Sequence, residues 1–211
     1  MSVPRGLYAI VDPDACRGRD ALEVAAAILR GGAAMLQLRM KHGSDTARLE
    51  LARALASACR AQGVPFIVDD RLDIALLAKA DGVHVGQDDL PVALLSQQPL
   101  AAGLSLGVST HTLDQVRIAE AEGAHLLGFG PVFPTRSKRD ADDIVGLELL
   151  SEAASATELP VVAIGGLDAE RAPLARDAGA AMVACISAIC GADDPEASAR
   201  AIHLAAGGEP C

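Results

Sequence analysis

Eight short apolar runs recur along the chain, and helical stretches fill the gaps between them. The runs span 7–11, 34–38, 66–68, 83–85, 104–108, 125–129, 161–164 and 182–185. Strands that alternate one for one with helices build βαβ units and a parallel sheet. Eight such units describe an α/β protein of the single-domain (β/α)8 TIM-barrel class, whose chemistry sits on loops at the C-terminal strand ends. Nearly every polar residue with chemical potential here stands just after one of the runs. A solenoid of stacked units and an open doubly wound sheet are the alternatives. Unequal repeats with no shared consensus favour the closed barrel.

Helices are expected near 20–30, 45–62, 71–79, 91–97, 112–122, 146–156, 168–178 and 193–206. Asp20, with Glu23 three residues on, forms a capping-box variant. Asp45 and Thr112 are placed to cap their helices in the same way. Gly31-Gly32, Gly63, Gly123 and Gly179 each close a helix before a strand, where a left-handed residue is wanted. No linker interrupts the alternation, so residues 1–206 read as one catalytic domain and 207–211 as a frayed tail.

The balance of 18 basic and 28 acidic residues gives a net charge of −10, which opposes nonspecific binding to nucleic acid or anionic membrane. Aromatics are only 2%, which leaves few platforms for stacking bases. No apolar run approaches the roughly 20 residues that span a bilayer. Residues 1–4 have no apolar signal region, so no leader is expected. Five cysteines, at 16, 59, 185, 190 and 211, form no Cys-x-x-Cys pair. The odd count argues against a disulfide framework and for the reducing cytoplasm. Cys59 and Cys185 read as small core residues.

After the second run comes Gln37-Leu38-Arg39-Met40-Lys41. Alternation sets Gln37, Arg39 and Lys41 on one face of an extended segment. The set is either a solvated strand end or an anion clamp, since Arg grips phosphate bidentately and Lys adds a point charge. Asp69-Asp70-Arg71 follows the third run and Gly86-Gln87-Asp88-Asp89 the fourth. Carboxylates at neighbouring strand ends converge in a barrel. With a substrate phosphate they suit Mg²⁺. Asp70 capping the next helix, and Asp89 closing the turn before Pro91, are the structural alternatives.

Ser109 and His111 follow the fifth run. Ser109 is an anion donor or a turn residue; His111 is a proton shuttle or a helix-start histidine with a structural bond. His84 lies inside a run and reads as a barrel-interior histidine. A long loop from Gly128 carries Gly130, Pro131, Pro134, Thr135, Arg136, Ser137 and Lys138. Backbone amides, hydroxyls and an ammonium can together cradle phosphate. Gly165-Gly166 after run seven and Ile186-Ser187 after run eight occupy the recurrent phosphate position of this fold. Two anion sites facing each other are the result.

The chain resembles the thiamine phosphate synthase family. The resemblance rests on Leu7-Tyr8-Ala9-Ile10-Val11-Asp12, Gln37-Leu38-Arg39-x-Lys41, Asp70-Arg71, Ala80-Asp81-Gly82-Val83-His84-Val85-Gly86-Gln87-x-Asp89 and Gly107-Val108-Ser109-x-His111. It continues through Gly128-x-Gly130-Pro131-Val132-Phe133-x-Thr135-x-Ser137-Lys138, Val162-x-Ile164-Gly165-Gly166 and Ile186-Ser187-Ala188-Ile189. It implies a transferase that couples hydroxymethylpyrimidine diphosphate to a thiazole phosphate, releasing pyrophosphate by a dissociative route. By that match Gln37, Leu38, Arg39, Met40, Lys41, Asp69, Ser109 and Lys138 hold the pyrimidine diphosphate. Arg39, Lys41, Ser109 and Lys138 among them serve the chemistry. Thr135, Arg136, Ser137, Gly166, Ile186 and Ser187 hold the thiazole phosphate, and Asp70 and Asp89 bind Mg²⁺. The family usually has Asn where this chain has Asp69, an extra anion beside a diphosphate.

Small phosphorylated molecules are thus the expected partners, with no nucleic acid and no membrane; a homo-oligomer is compatible. A thiazole tautomerase of the same superfamily would keep the barrel and His111 but needs neither Asp70 nor Asp89. A precursor-binding barrel without turnover is the non-enzyme alternative.

Overall fold

Short β-branched and leucine-rich runs, each bounded by a turn, become strands because their pleated surfaces can be buried on both faces. In the computed structural model, which describes residues 4–135 and 143–210, all eight do so. They are β1 (Gly6–Val11), β2 (Met35–Leu38), β3 (Phe66–Asp69), β4 (Gly82–Val85), β5 (Ser105–Thr110), β6 (Leu126–Phe129), β7 (Val161–Ile164) and β8 (Met182–Cys185). Each pairs in parallel with the next, and β8 pairs with β1, closing the barrel and leaving no sheet edge.

The helices form the outer ring. They are α1 (Ala21–Arg30), α2 (Asp45–Gln62), α3 (Leu72–Ala78), α4 (Val92–Ser96) and α5 (Leu113–Ala121), then α6 (Gly146–Ser155), α7 (Ala172–Asp177), α8 (Ser187–Cys190) and α9 (Pro195–Ala205). Asp20 caps α1 by accepting from the Leu22 and Glu23 amides, and Thr112 caps α5. The cap of α2 is Ser44 rather than Asp45. Asp45 is already inside the helix, where its carboxylate is held by Arg48 and Arg71. Two short 3-10 turns, Pro13–Ala15 after β1 and Pro99–Ala101 after α4, are not signalled by the apolar pattern.

Strand alternation splits the core in two. Leu7, Ala9, Val11, Leu36, Leu38, Val68, Val83, Leu106, Leu127 and Val183 point outward into the layer beneath the helices. Tyr8, Ile10, Met35, Ile67, Leu126, Val162, Met182 and Ala184 point inward and fill the barrel. Full burial of one such aliphatic side chain is worth about 1.5–3 kcal/mol. With so few aromatics, two methionines and Tyr8 supply the bulk that plugs the barrel's lower half. The upper half is left to polar side chains and glycines, which is where the cavity opens.

The last described residues turn back on the barrel's lower rim. His203 Nδ1 accepts from the Leu7 amide at 3.3 Å, its Nε2 donates to the Glu209 carbonyl at 3.0 Å, and the Gly208 amide donates to the His203 carbonyl. No helix among the described residues is long and apolar enough to cross a membrane.

Candidate functional site

A cavity of about 330 Å³ opens at the C-terminal strand ends. Inward residues of β1 to β5 and of the segments that follow β2, β3 and β4 form one wall: Tyr8, Ile10, Gln37, Arg39, Lys41, Asp69, Asp70, His84, Asp89 and Ser109. The loops after β6, β7 and β8 form the other, with Gly130, Pro131, Thr135, Gly165, Gly166, Ile186 and Ser187. Residues expected at two facing anion sites therefore line one continuous space. Arg136, Ser137 and Lys138 lie outside the described residues.

Gln37 and Arg39 face the cavity because β2 alternates. The same alternation turns Leu38 away: it is buried in the outer layer, and Met40 packs against that layer too. Neither lines the cavity. Leu38 and Met40 can therefore meet a ligand in this cavity through their backbone and not through their side chains. Gln37 Nε2 donates to the Tyr8 hydroxyl at 2.9 Å, which fixes the amide at the barrel floor. Burial raises the Tyr8 pKa far above its ordinary value, so it stays a phenol. Arg39 is tied to the buried Asp12 carboxylate, which also accepts from the Asp14 amide.

Lys41 Nζ lies 2.9 Å from Asp69 and in contact with Asp70. Burial alone would lower the lysine pKa, but the two carboxylates outweigh it and leave it raised. Burial raises Asp69, with Lys41 opposing. Asp70 is not a helix cap: α3 begins after Arg71, which makes no side-chain cap bond. Instead Asp70 adopts a left-handed backbone, φ 59°, a conformation Asp tolerates better than most residues. Its amide donates to the His84 carbonyl at 2.7 Å, and its carboxylate faces the cavity. One oxygen of Asp89 does close a turn, accepting from the Gly86 amide at 2.7 Å. The structural reading of Asp89 and its cavity exposure thus hold together.

Ser109 Oγ lies 3.0 Å from His84 Nε2, and the Ser109 carbonyl accepts from Gln87 Nε2 at 2.6 Å. Burial lowers the His84 pKa to about 4, so the ring is neutral near pH 7. His111 Nδ1 donates to the Gly130 carbonyl, and its backbone amide donates to Gln115 Oε1 at 2.7 Å, so the structural bond expected of a helix-start histidine is present. On the opposite wall, the Val132 amide donates to the Ile164 carbonyl at 2.8 Å and the Phe133 amide to Gly165 at 3.1 Å, stitching loop six to loop seven. Gly166, at φ 64°, lies so close beneath that loop that a Cβ would stand 2.5 Å from the Pro134 carbonyl oxygen. Arg171 stacks 5.1 Å over the Phe133 ring and donates to the Gly166 carbonyl at 2.7 Å, closing the same seam.

The roles of Tyr8, Asp12, Gln87 and Arg171 are not evident in the sequence pattern. The inward position of Tyr8 was findable, since its strand parity matches Ile10. Asp12 directly ends β1, but its partner Arg39 is 27 residues away. Arg171 carries no local signal.

A family model described as thiamine monophosphate synthase matches residues 7–189. A thiamine-phosphate synthase of Methanocella arvoryzae is 43% identical over 194 residues, covering 92% of this chain and 91% of that protein. One from Chlorobium luteolum is 46% identical over 181 residues, covering 86% and 85%. Among solved structures, a thiamine phosphate pyrophosphorylase from Pyrococcus furiosus superposes with a TM-score of 0.88 at 34% identity, covering 96% and 95% of the two chains.

Proposed function

The chain belongs to the thiamine monophosphate synthase family, and from that premise we propose that it joins 4-amino-2-methyl-5-hydroxymethylpyrimidine diphosphate to 4-methyl-5-(2-phosphoethyl)thiazole. The products are thiamine phosphate and pyrophosphate. The observation that carries this reading is one cavity with Arg39, Lys41 and Ser109 on one wall and Thr135, Gly166 and Ser187 on the other. Such a space holds two phosphorylated molecules with their reacting centres between the walls.

Magnesium suits the donor set of Asp70 and Asp89. Both are hard oxygen ligands on the cavity wall, and Asp89 has one oxygen engaged by Gly86, leaving the other for a cation. Lys41 against Asp69 and Asp70 shows that this corner favours positive charge. Two carboxylates, with phosphate oxygens and water completing the shell, are the usual magnesium arrangement. When bound, the ion would neutralise charge on the diphosphate.

The chain's own residues would do the rest. Arg39 presents donors to the diphosphate, and Asp12 sets its direction. The bond from the pyrimidine methylene to oxygen breaks, its electron pair leaving with pyrophosphate, and the thiazole nitrogen then supplies the pair for the new C–N bond. Charge stabilisation of the leaving group, rather than a protein nucleophile, carries such a step. Cys185 lines the cavity, but burial pushes its thiol up to about 12, so it stays protonated.

The test is direct. The purified protein is mixed with both substrates, with and without magnesium, and pyrophosphate and thiamine phosphate are measured. Metal-dependent release of both supports the reading. Binding of the thiazole phosphate without turnover would replace it with the precursor-binding barrel, and isomerisation of the thiazole alone with the tautomerase.

A further inference from the structure

His84 sits on the floor of the cavity with its two ring nitrogens in different surroundings. Nε2 lies 3.0 Å from Ser109 Oγ. Nδ1 is buried and has no hydrogen-bond partner among the described residues. The ring occupies space that β5 and β6 vacate by carrying glycine. A Cβ at Gly107 would stand 2.4 Å from Nδ1, and one at Gly128 would stand 3.3 Å from Cε1. Nδ1 is thus pressed onto the backbone of β5.

A neutral imidazole carries one hydrogen, on either nitrogen. If Nδ1 carried it, a buried N–H donor would be left without an acceptor. Orphaned buried N–H groups are among the rarest features of folded proteins. If Nε2 carries it, the hydrogen is satisfied at once by Ser109 Oγ, and Nδ1 is left as a bare lone pair against apolar backbone. The second tautomer leaves one acceptor unsatisfied and keeps the donor paired, the less costly of the two arrangements. Ser109 Oγ then receives the His84 hydrogen. Its own hydrogen must point elsewhere, and Ser109 borders the cavity.

We propose that His84 is a positioning residue: as the Nε2–H tautomer it donates to Ser109 Oγ and thereby directs the Ser109 hydroxyl hydrogen into the cavity, toward an oxygen of the departing diphosphate. This rests on the reading of Ser109 as a diphosphate contact. A serine that already accepts one hydrogen bond is a better-aligned donor for charge that develops as the leaving group departs. The two glycines facing the ring are part of the same device, because a side chain at either would crowd the imidazole off Ser109.

Two measurements test this. The first is a long-range ¹H–¹⁵N correlation spectrum of the substrate-free protein, with the His84 signals assigned by their loss in His84→Gln. The expected result is a protonated Nε2 and an unprotonated Nδ1. A protonated Nδ1 overturns the proposal. This reading is independent of turnover, so it stays distinguishable from failure of the synthase assignment, in which the wild-type protein would make no thiamine phosphate. The second is steady-state kinetics. His84→Asn, whose amide ends near the Nδ1 position, should lower kcat by about 100-fold, the scale of losing one aligned donor. His84→Gln, whose amide nitrogen reaches the Nε2 position, should recover most of it. The double variant with Ser109→Ala should be no slower than Ser109→Ala alone, and the KM for thiazole phosphate should not move. Additive losses, or equal loss in both His84 variants, would show that His84 does not act through Ser109.

Discussion

Replacing Asp69 by asparagine removes one of two anions that hold Lys41. Asp69 is mostly buried, its side chain 13% exposed, and its oxygen lies 2.9 Å from the lysine nitrogen. Asp70 contacts the same ammonium. An incoming diphosphate must therefore draw Lys41 from two carboxylates and approach an extra negative charge. At an effective dielectric near 20, unit charges about 4 Å apart interact by ~4 kcal/mol. Lys41 is 38% exposed, so solvent screens much of this, and removing a buried carboxylate relieves some desolvation. A net change of about 1–2 kcal/mol remains. That corresponds to a decrease of about tenfold in KM for the pyrimidine diphosphate, since 1.4 kcal/mol is one decade. The Mg²⁺ concentration giving half-maximal rate should fall with it, because the metal has less anionic charge to offset. Initial rates of pyrophosphate release over a grid of Mg²⁺ and diphosphate concentrations measure both. Thermal stability should hold or rise, because an amide is cheaper to bury than a carboxylate that burial already disfavours. An unchanged or higher magnesium requirement in Asp69→Asn would refute the argument.

Three further outcomes are expected. His84 binds a proton in the unfolded chain near pH 6.5 but only near pH 4 in the folded protein. Its contribution is therefore fully present above about pH 6.5 and is lost as pH falls toward 4, amounting to about 3 kcal/mol. Urea unfolding at several pH values should show a shallower slope over that window for His84→Gln than for the wild type. Gly166→Ala forces an L-residue to φ 64° and a Cβ to 2.5 Å from the Pro134 carbonyl. Urea unfolding should show a loss of about 1–3 kcal/mol, and kinetics a raised KM for thiazole phosphate with the diphosphate KM little changed. Leu38→Ala should cost about 2–5 kcal/mol of stability through a core cavity while leaving both KM values in place. A selective rise in diphosphate KM in that variant would put the Leu38 side chain, and not its backbone alone, at the site.

Strand identity and order were legible because β-strands buried on both faces leave continuous apolar runs. Two of the eight runs, 161–164 and 182–185, match their strands residue for residue. The other six differ by one or two residues at an end: β1, β2, β4 and β6 only where the strand starts, while polar residues extend β3 to Asp69 and β5 to Thr110 on the side of the site. The α2 cap is Ser44, which accepts from the Ala47 amide, because Asp45 is engaged by Arg48 on the same helix and by Arg71 from beyond β3.

The local pattern by itself determined the class of fold, the strand-end location of the polar residues and the side of β2 that Gln37 and Arg39 share. Those are consequences of period-two alternation and of turn chemistry, which act over a few residues. Pairings across the barrel belonged to tertiary structure alone. Tyr8 on Gln37, Asp12 on Arg39, Lys41 on Asp69 and Asp70, and His84 on Ser109 join residues 25 to 29 apart in the chain. Parallel neighbours in a barrel are separated by a whole helix, so no local rule carries their register. That register decides which nitrogen of His84 meets a hydroxyl and which meets only the glycine backbone of β5.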